Sequence, residues 1–103
     1  MSSLSEKLLN FAGSVSSATN APDDYPDYRV ELWGDMERTY KMNKQAVLED
    51  WAAVRGLIKR DLDKVAMIDE SLLIAFSAFD AGNKALGRAK MFDIYNLELR
   101  KLR

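Results

Sequence analysis

From Trp33 to Val65 the sequence carries an unbroken row of large residues at helical spacing. Trp33, Met36, Tyr40, Asn43, Val47, Trp51, Val54, Ile58, Leu62 and Val65 follow one another at intervals of 3, 4, 3, 4, 4, 3, 4, 4 and 3. The mean step of about 3.56 residues is the period of an α-helix with one apolar face. No proline follows Pro26, so nothing of that kind interrupts the row. A chain of 103 residues with only two prolines and five glycines has few places to turn. A turn-rich sandwich is therefore excluded, and the fold class is all-α, a compact bundle of four to five helices in one domain. Asn43 is the one polar member of the row. Either one long bent helix or two helices meeting near Asn43 satisfies the pattern.

The remaining helices follow from their ends. Ser3 and Glu6 have the capping-box spacing, and Leu4, Leu8, Phe11 and Val15 then form one stripe. Residues 14–24, SVSSATNAPDD, read as a linker of small side chains that compete for their own backbone. Residues 1–24 thus form an N-terminal helix and linker, and residues 25–103 the bundle. Pro26 suits the first position of the next helix, with Asp27 and Glu31 opposing its positive end. Asp69-Glu70-Ser71 reads as a further start, with Ile68 and Leu73 spaced as a staple. Over residues 74–89, Ala78, Gly82, Ala85 and Ala89 could make one helix with a small-residue seam. Asp80-Ala81-Gly82-Asn83 has turn chemistry instead, and the reading taken is two helices with a corner at 81–83 and Asn83 as the cap. The last helix is expected to bury Leu86, Ala89, Tyr95, Leu99 and Leu102, with Phe92 at its edge.

Composition removes whole classes of chemistry. The chain has no histidine and no cysteine. Nucleophilic triads, histidine- or thiolate-bound zinc and disulfide frameworks are all excluded. The longest apolar run, residues 72–79, is far short of the roughly 20 residues that span a bilayer. The N-terminus lacks the basic start of a secretion signal and reads as a cytoplasmic helix. No cofactor is expected, and neither a membrane nor a nucleic acid as partner. The basic groups Arg38, Lys41, Lys44 and Arg55, Lys59, Arg60 are interleaved with acids and read as solvated helix faces.

Charge is nevertheless uneven. Residues 1–37 carry a net −5, residues 38–68 +3 and residues 69–103 +1. The acids cluster around the start of the second helix. Asp23-Asp24-Tyr25-Pro26-Asp27 matches the DDxxD string of magnesium-diphosphate sites, but that chemistry needs a second facing cluster and a large cavity. The reading taken is a contact surface for a basic protein, formed by Asp23, Asp24, Tyr25, Asp27, Tyr28, Glu31, Trp33 and Asp35. Trp33 is the aromatic anchor of that surface, while Trp51 belongs to the core. Asp80 is expected to cap the turn after it, and Asp61 and Asp63 fall on opposite sides of a helix.

Two blocks of residues carry a family resemblance. Tyr25-Pro26-x-Tyr28-x-Val30 opens a helix. Leu62-Asp63, Ile74-Ala75, Phe79-Asp80, Leu86-x-Arg88-Ala89 and Tyr95 then follow in order. Over residues 25–30 and 62–95 this resembles the small helical immunity proteins of bacterial type VI secretion, which act on NAD(P)+-hydrolysing or related nucleotide-targeting effectors. The resemblance implies a cytoplasmic, non-enzymatic inhibitor that covers the active site of a cognate toxin. The alternative is a helical homo-oligomeric adaptor or phage-type accessory protein, whose partner is a second copy of the chain.

Overall fold

A computed structural model describes residues 3–103. Five helices make up the architecture: α1 (Leu4–Ala18), α2 (Asp27–Trp33), α3 (Met36–Arg55), α4 (Leu62–Asp80) and α5 (Lys84–Tyr95), followed by a 3₁₀ turn at Leu99–Lys101. No strand occurs among the described residues. α4 and α5 form a tight hairpin, and α1 lies against α3, α5 and the 3₁₀ turn. α1 is no appendage. Its Leu8, Phe11 and Val15 share one core with Val47, Trp51 and Val54 of α3, Ile68, Leu72 and Phe76 of α4, and Met91 and Ile94 of α5. The ring of Phe11 meets that of Trp51 at 4.9 Å.

α1 begins as its sequence dictates, with the Ser3 hydroxyl accepting from the Glu6 N–H at 3.1 Å. It ends later than expected, since residues 14–18 are helical and the connection starts at Thr19. The serines that would compete with the backbone have other partners or face solvent, and Ser14 donates to the Asp50 carboxylate at 2.5 Å. The Ala21–Pro22 peptide that follows is cis.

The long apolar row crosses three elements, and the breaks are not where Asn43 suggested. The first comes at Gly34, whose φ of 105° lies in the left-handed region that a side chain resists. Its N–H returns to the Val30 carbonyl at 2.8 Å, closing α2, and Asp35 opens α3 by accepting from the Arg38 N–H at 2.7 Å. Asn43 sits inside α3 with its amide fully engaged, as described below. The second break spans residues 56–61, so Val54, Ile58 and Val65 are buried in register although a loop separates them.

Asp69 starts no helix. It lies within α4, where its carboxylate accepts from the Trp51 indole at 2.7 Å and from Arg55 at 2.6 Å. The Arg55 guanidinium, with help from Trp51, holds that carboxyl below the usual aspartate range. The corner at 81–83 is present, with Gly82 at φ 84° and the Asn83 side chain accepting from the Leu86 N–H at 3.3 Å. The small-residue seam is not: Gly82, Ala85 and Ala89 are exposed. Close approach is made by Gly87, where an added Cβ would lie 2.5 Å from the Phe79 ring. That contact sets the rotation of α5, so Gly87, Met91 and Ile94 face inward. Leu86 and Tyr95 are left 40% and 48% exposed and Ala89 is exposed too, contrary to the expected face, while Phe92, expected at the edge, is 46% exposed. Helix α5 also stops at Tyr95, and the 3₁₀ turn, rather than a continued helix, delivers Leu99 and Leu102 to the core.

Candidate partner-binding surface

The eight residues of the acidic segment separate into four roles. Tyr25 is core. Its side chain is only 4% exposed, and its hydroxyl donates to the Asn43 carbonyl oxygen at 2.8 Å. The Asn43 amide donates in turn to the Ser14 carbonyl at 3.1 Å. This chain of bonds ties the connection before α2 to α3 and α1, and leaves no buried side-chain polar atom unpaired among the described residues. Burial pushes the Tyr25 phenol far above its ordinary pKa, and the Arg29 and Arg88 charges pull it part of the way back. Tyr25 is therefore an anchor beneath the surface, and its place in a contact face is withdrawn.

Asp23 and Asp24 face α5. Arg88 donates to Asp23 at 2.9 Å and, through Nε, to the Ala21 carbonyl at 2.8 Å; Lys84 reaches Asp23 at 3.3 Å, and Asp24 lies 3.7 Å from Arg88. Much of the negative charge of the Asp-Asp pair is thus neutralised within the molecule. Asp35 is the cap of α3. No group of three acids, the DDxxD string included, is placed to hold a metal ion among the described residues.

What remains is α2 itself. Its residues alternate by side: Asp27, Tyr28, Glu31 and Leu32 are exposed, while Arg29, Val30 and Trp33 turn inward and are half-buried. Tyr28 is 68% and Leu32 73% exposed, and no residue of the helix is fully buried. Two large apolar groups one turn apart, with the carboxylates of Asp27 and Glu31 along one side, make a compact acidic-apolar face. Leu32 belongs to it although the sequence reading omitted it. The signal was available, since Leu32 precedes the Trp33 stripe and must point away from the core. Trp33 is half-buried, with the Arg29 guanidinium 5.6 Å from its ring.

A second surface feature lies between α3 and α4. It is a groove of about 370 Å³ floored by Trp51, Leu72 and Phe76, with Leu48 and Leu73 on its lips. Its ends are tied by Asp69, bound as above, and by Asp80, which accepts from Tyr40 at 2.8 Å and Lys44 at 2.9 Å. Asp80 therefore bridges helices and does not cap its own turn. Lys44, then Tyr40, hold the Asp80 carboxyl below its ordinary range. No helix of the described residues is long and apolar enough to cross a membrane. No family model matches the chain, and neither a curated protein nor a solved structure matches it.

Proposed function

We propose that this chain is a non-catalytic inhibitor, an immunity protein of the type VI secretion kind, which uses the outer face of α2 to bind a basic surface of a toxin. The observation that carries the reading is the exposure of Tyr28 and Leu32 on a helix fixed at both ends. Tyr25 anchors its start, and the Gly34-Asp35 corner its end. The core does not require these two side chains, whereas an aromatic and an aliphatic anchor among carboxylates suit a cationic, phosphate-binding cleft. A helix held in place loses little freedom on docking, which favours nanomolar affinity, about −12 kcal/mol.

The test is co-expression with the product of the neighbouring open reading frame, which the reading expects to be toxic. The wild-type chain should protect, and Asp27→Lys with Glu31→Lys should abolish protection while the thermal midpoint stays within about 2 °C. Unrelieved toxicity with the wild-type chain counts against the inhibitor; full protection by the double variant counts against α2. The apolar lips Leu48 and Leu73, 43% and 71% exposed, favour a second reading in which the α3–α4 groove closes a homodimer. A strictly monomeric mass by light scattering at high concentration rules it out.

A further inference from the structure

Beneath α2 lies an open cleft of about 430 Å³, whose walls carry Asn10, Ser14 and Ser17 of α1, Asp50 of α3, and Arg29 and Trp33 of α2. It is predominantly polar, and it widens beside Gly13, where an added Cβ would meet nothing within 4 Å. Two opposite charges line it without meeting. The Arg29 guanidinium rests 5.6 Å from the Trp33 ring and 5.9 Å from the Tyr28 ring, and among the described residues no carboxylate lies within ion-pair distance of it. Asp50 accepts from the Ser14 hydroxyl, and among the described residues no cation reaches it either.

A half-buried guanidinium lying near two aromatic rings, with no side-chain hydrogen bond or ion pair spending its donors among the described residues, is arranged for a planar acceptor such as a carboxylate. Arg88 shows the contrast within the same molecule. Its donors are already used on Asp23 and the Ala21 carbonyl, and it clamps the chain rather than awaiting a ligand. We infer that the cleft receives an acidic side chain of the same protein partner on Arg29, with a neighbouring basic or amide donor of that segment reaching Asp50. The inference rests on the α2 reading and extends it. The outer face of α2 supplies negative charge and apolar anchors, and the cleft beneath supplies one positive group. A partner must then present basic residues and, within reach of the cleft, an acid. Such alternation fixes the register of docking and rejects partners that are merely cationic.

The first experiment measures the dissociation constant of the toxin complex for wild type, Arg29→Gln, Arg29→Glu and Asp50→Asn. Losses of about tenfold, a hundredfold and threefold are expected, in the range of charged interface pairs. Arg29→Gln keeps a polar side chain, shorter and uncharged, with part of the same aliphatic stem, so a fold defect in Arg29→Glu does not remove the test. Arg29 variants that bind within twofold of wild type overturn the cleft while leaving the outer face intact. A wild-type chain that captures no toxin overturns both, and the two failures are thereby told apart. The second experiment needs no partner: the free chain is titrated with sodium acetate against sodium chloride at equal ionic strength, following the Arg29 Nε–H and Trp33 Nε1–H resonances. Acetate should move both selectively. Identical shifts in the two salts would reject Arg29 as a carboxylate receptor.

Discussion

The α4–α5 hairpin and α2 stand at opposite ends of how a helix can be held in place. In the hairpin, contact is intimate and apolar. Phe79 is 5% exposed, meets Tyr40 edge-on at 5.9 Å and Phe76 at 6.2 Å, and its ring fills the space that Gly87 leaves. In α2, no side chain is fully buried; Val30 packs on the core in part, and the flanks supply the rest, through Tyr25 before it and Gly34-Asp35 after it. The first region commits its side chains to stability. The second leaves its outward side chains, Tyr28 and Leu32 among them, unpacked, because much of what fixes it lies outside it. The chain can therefore change its exposed α2 residues with little effect on folding.

This comparison is most easily broken at Phe79. Phe79→Ala should cost about 3–5 kcal/mol in chemical denaturation, the range for emptying a well-packed aromatic site. Gly87→Ala should cost about 1–3 kcal/mol through crowding against the Phe79 ring, despite the gain in helix propensity. In the Phe79→Ala background the same alanine should cost less than half as much, since the obstructing ring is gone. Strict additivity of the two changes would show that the Gly87–Phe79 approach is not what sets the hairpin.

At the anchor of α2 the expected effect is smaller. Tyr25→Phe keeps the ring and removes the hydroxyl, leaving the buried Asn43 oxygen without its donor, at a cost of about 1–2 kcal/mol. The pH dependence sharpens this. Because the folded-state pKa of Tyr25 is raised, its contribution is fully present below the unfolded value of about 10 and is lost as pH rises beyond it. The variant should therefore lose less stability than wild type between pH 9 and 11. An equal alkaline loss in both proteins would place the titrating group elsewhere.

On the outer face, Tyr28→Ala with Leu32→Ala should change stability by no more than about 0.5 kcal/mol, as at other exposed sites. A loss above about 1.5 kcal/mol would mean that α2 is held by its own side chains, and the contrast with the hairpin would dissolve.

Much of the bundle was legible because period and capping are local. The Leu8, Phe11 and Val15 stripe, the Ser3 cap, the Asn83 cap and the corner at Gly82 all follow from residues within a few positions of one another. What the sequence hid depends on partners distant along the chain. Asn43 reads as a break because it is the one polar member of an apolar row, whereas Tyr25 and Ser14 lie 18 and 29 positions away and satisfy its amide inside the core. Asp69 reads as a helix start from its polar neighbours and the Ile68–Leu73 spacing, whereas its carboxylate is taken up by Trp51, 18 positions before it. The face of α5 was misjudged because a glycine has no hydrophobicity to display, although Gly87 makes the closest approach to Phe79. The site followed the same rule. The acidity of residues 23–35 was plain, but the internal neutralisation of Asp23 by Lys84 and Arg88, more than 60 positions away, was not.

The smallest effect tests whether the outer bridges of the hairpin matter beside its apolar contact. Asp80 ties the end of α4 to Tyr40 and Lys44 of α3, yet its side chain is 51% exposed, and water screens the pair. Asp80→Asn should therefore cost about 0.5–1 kcal/mol at neutral pH, the range for screened ion pairs. The sign of the pH dependence follows from the lowered pKa of the folded carboxyl. Its contribution is present above the unfolded aspartate value of about 4 and is lost as pH falls through the folded one. Wild type and variant should thus differ at pH 7 and converge near pH 2–3 in urea denaturation. The Tyr40 hydroxyl can still donate to the amide oxygen of the variant, so what disappears is the charge on Lys44's partner and little else. A difference that stays constant down to pH 2 would mean that Asp80 stabilises through contacts that do not depend on its charge, and that the ion pair with Lys44 adds nothing.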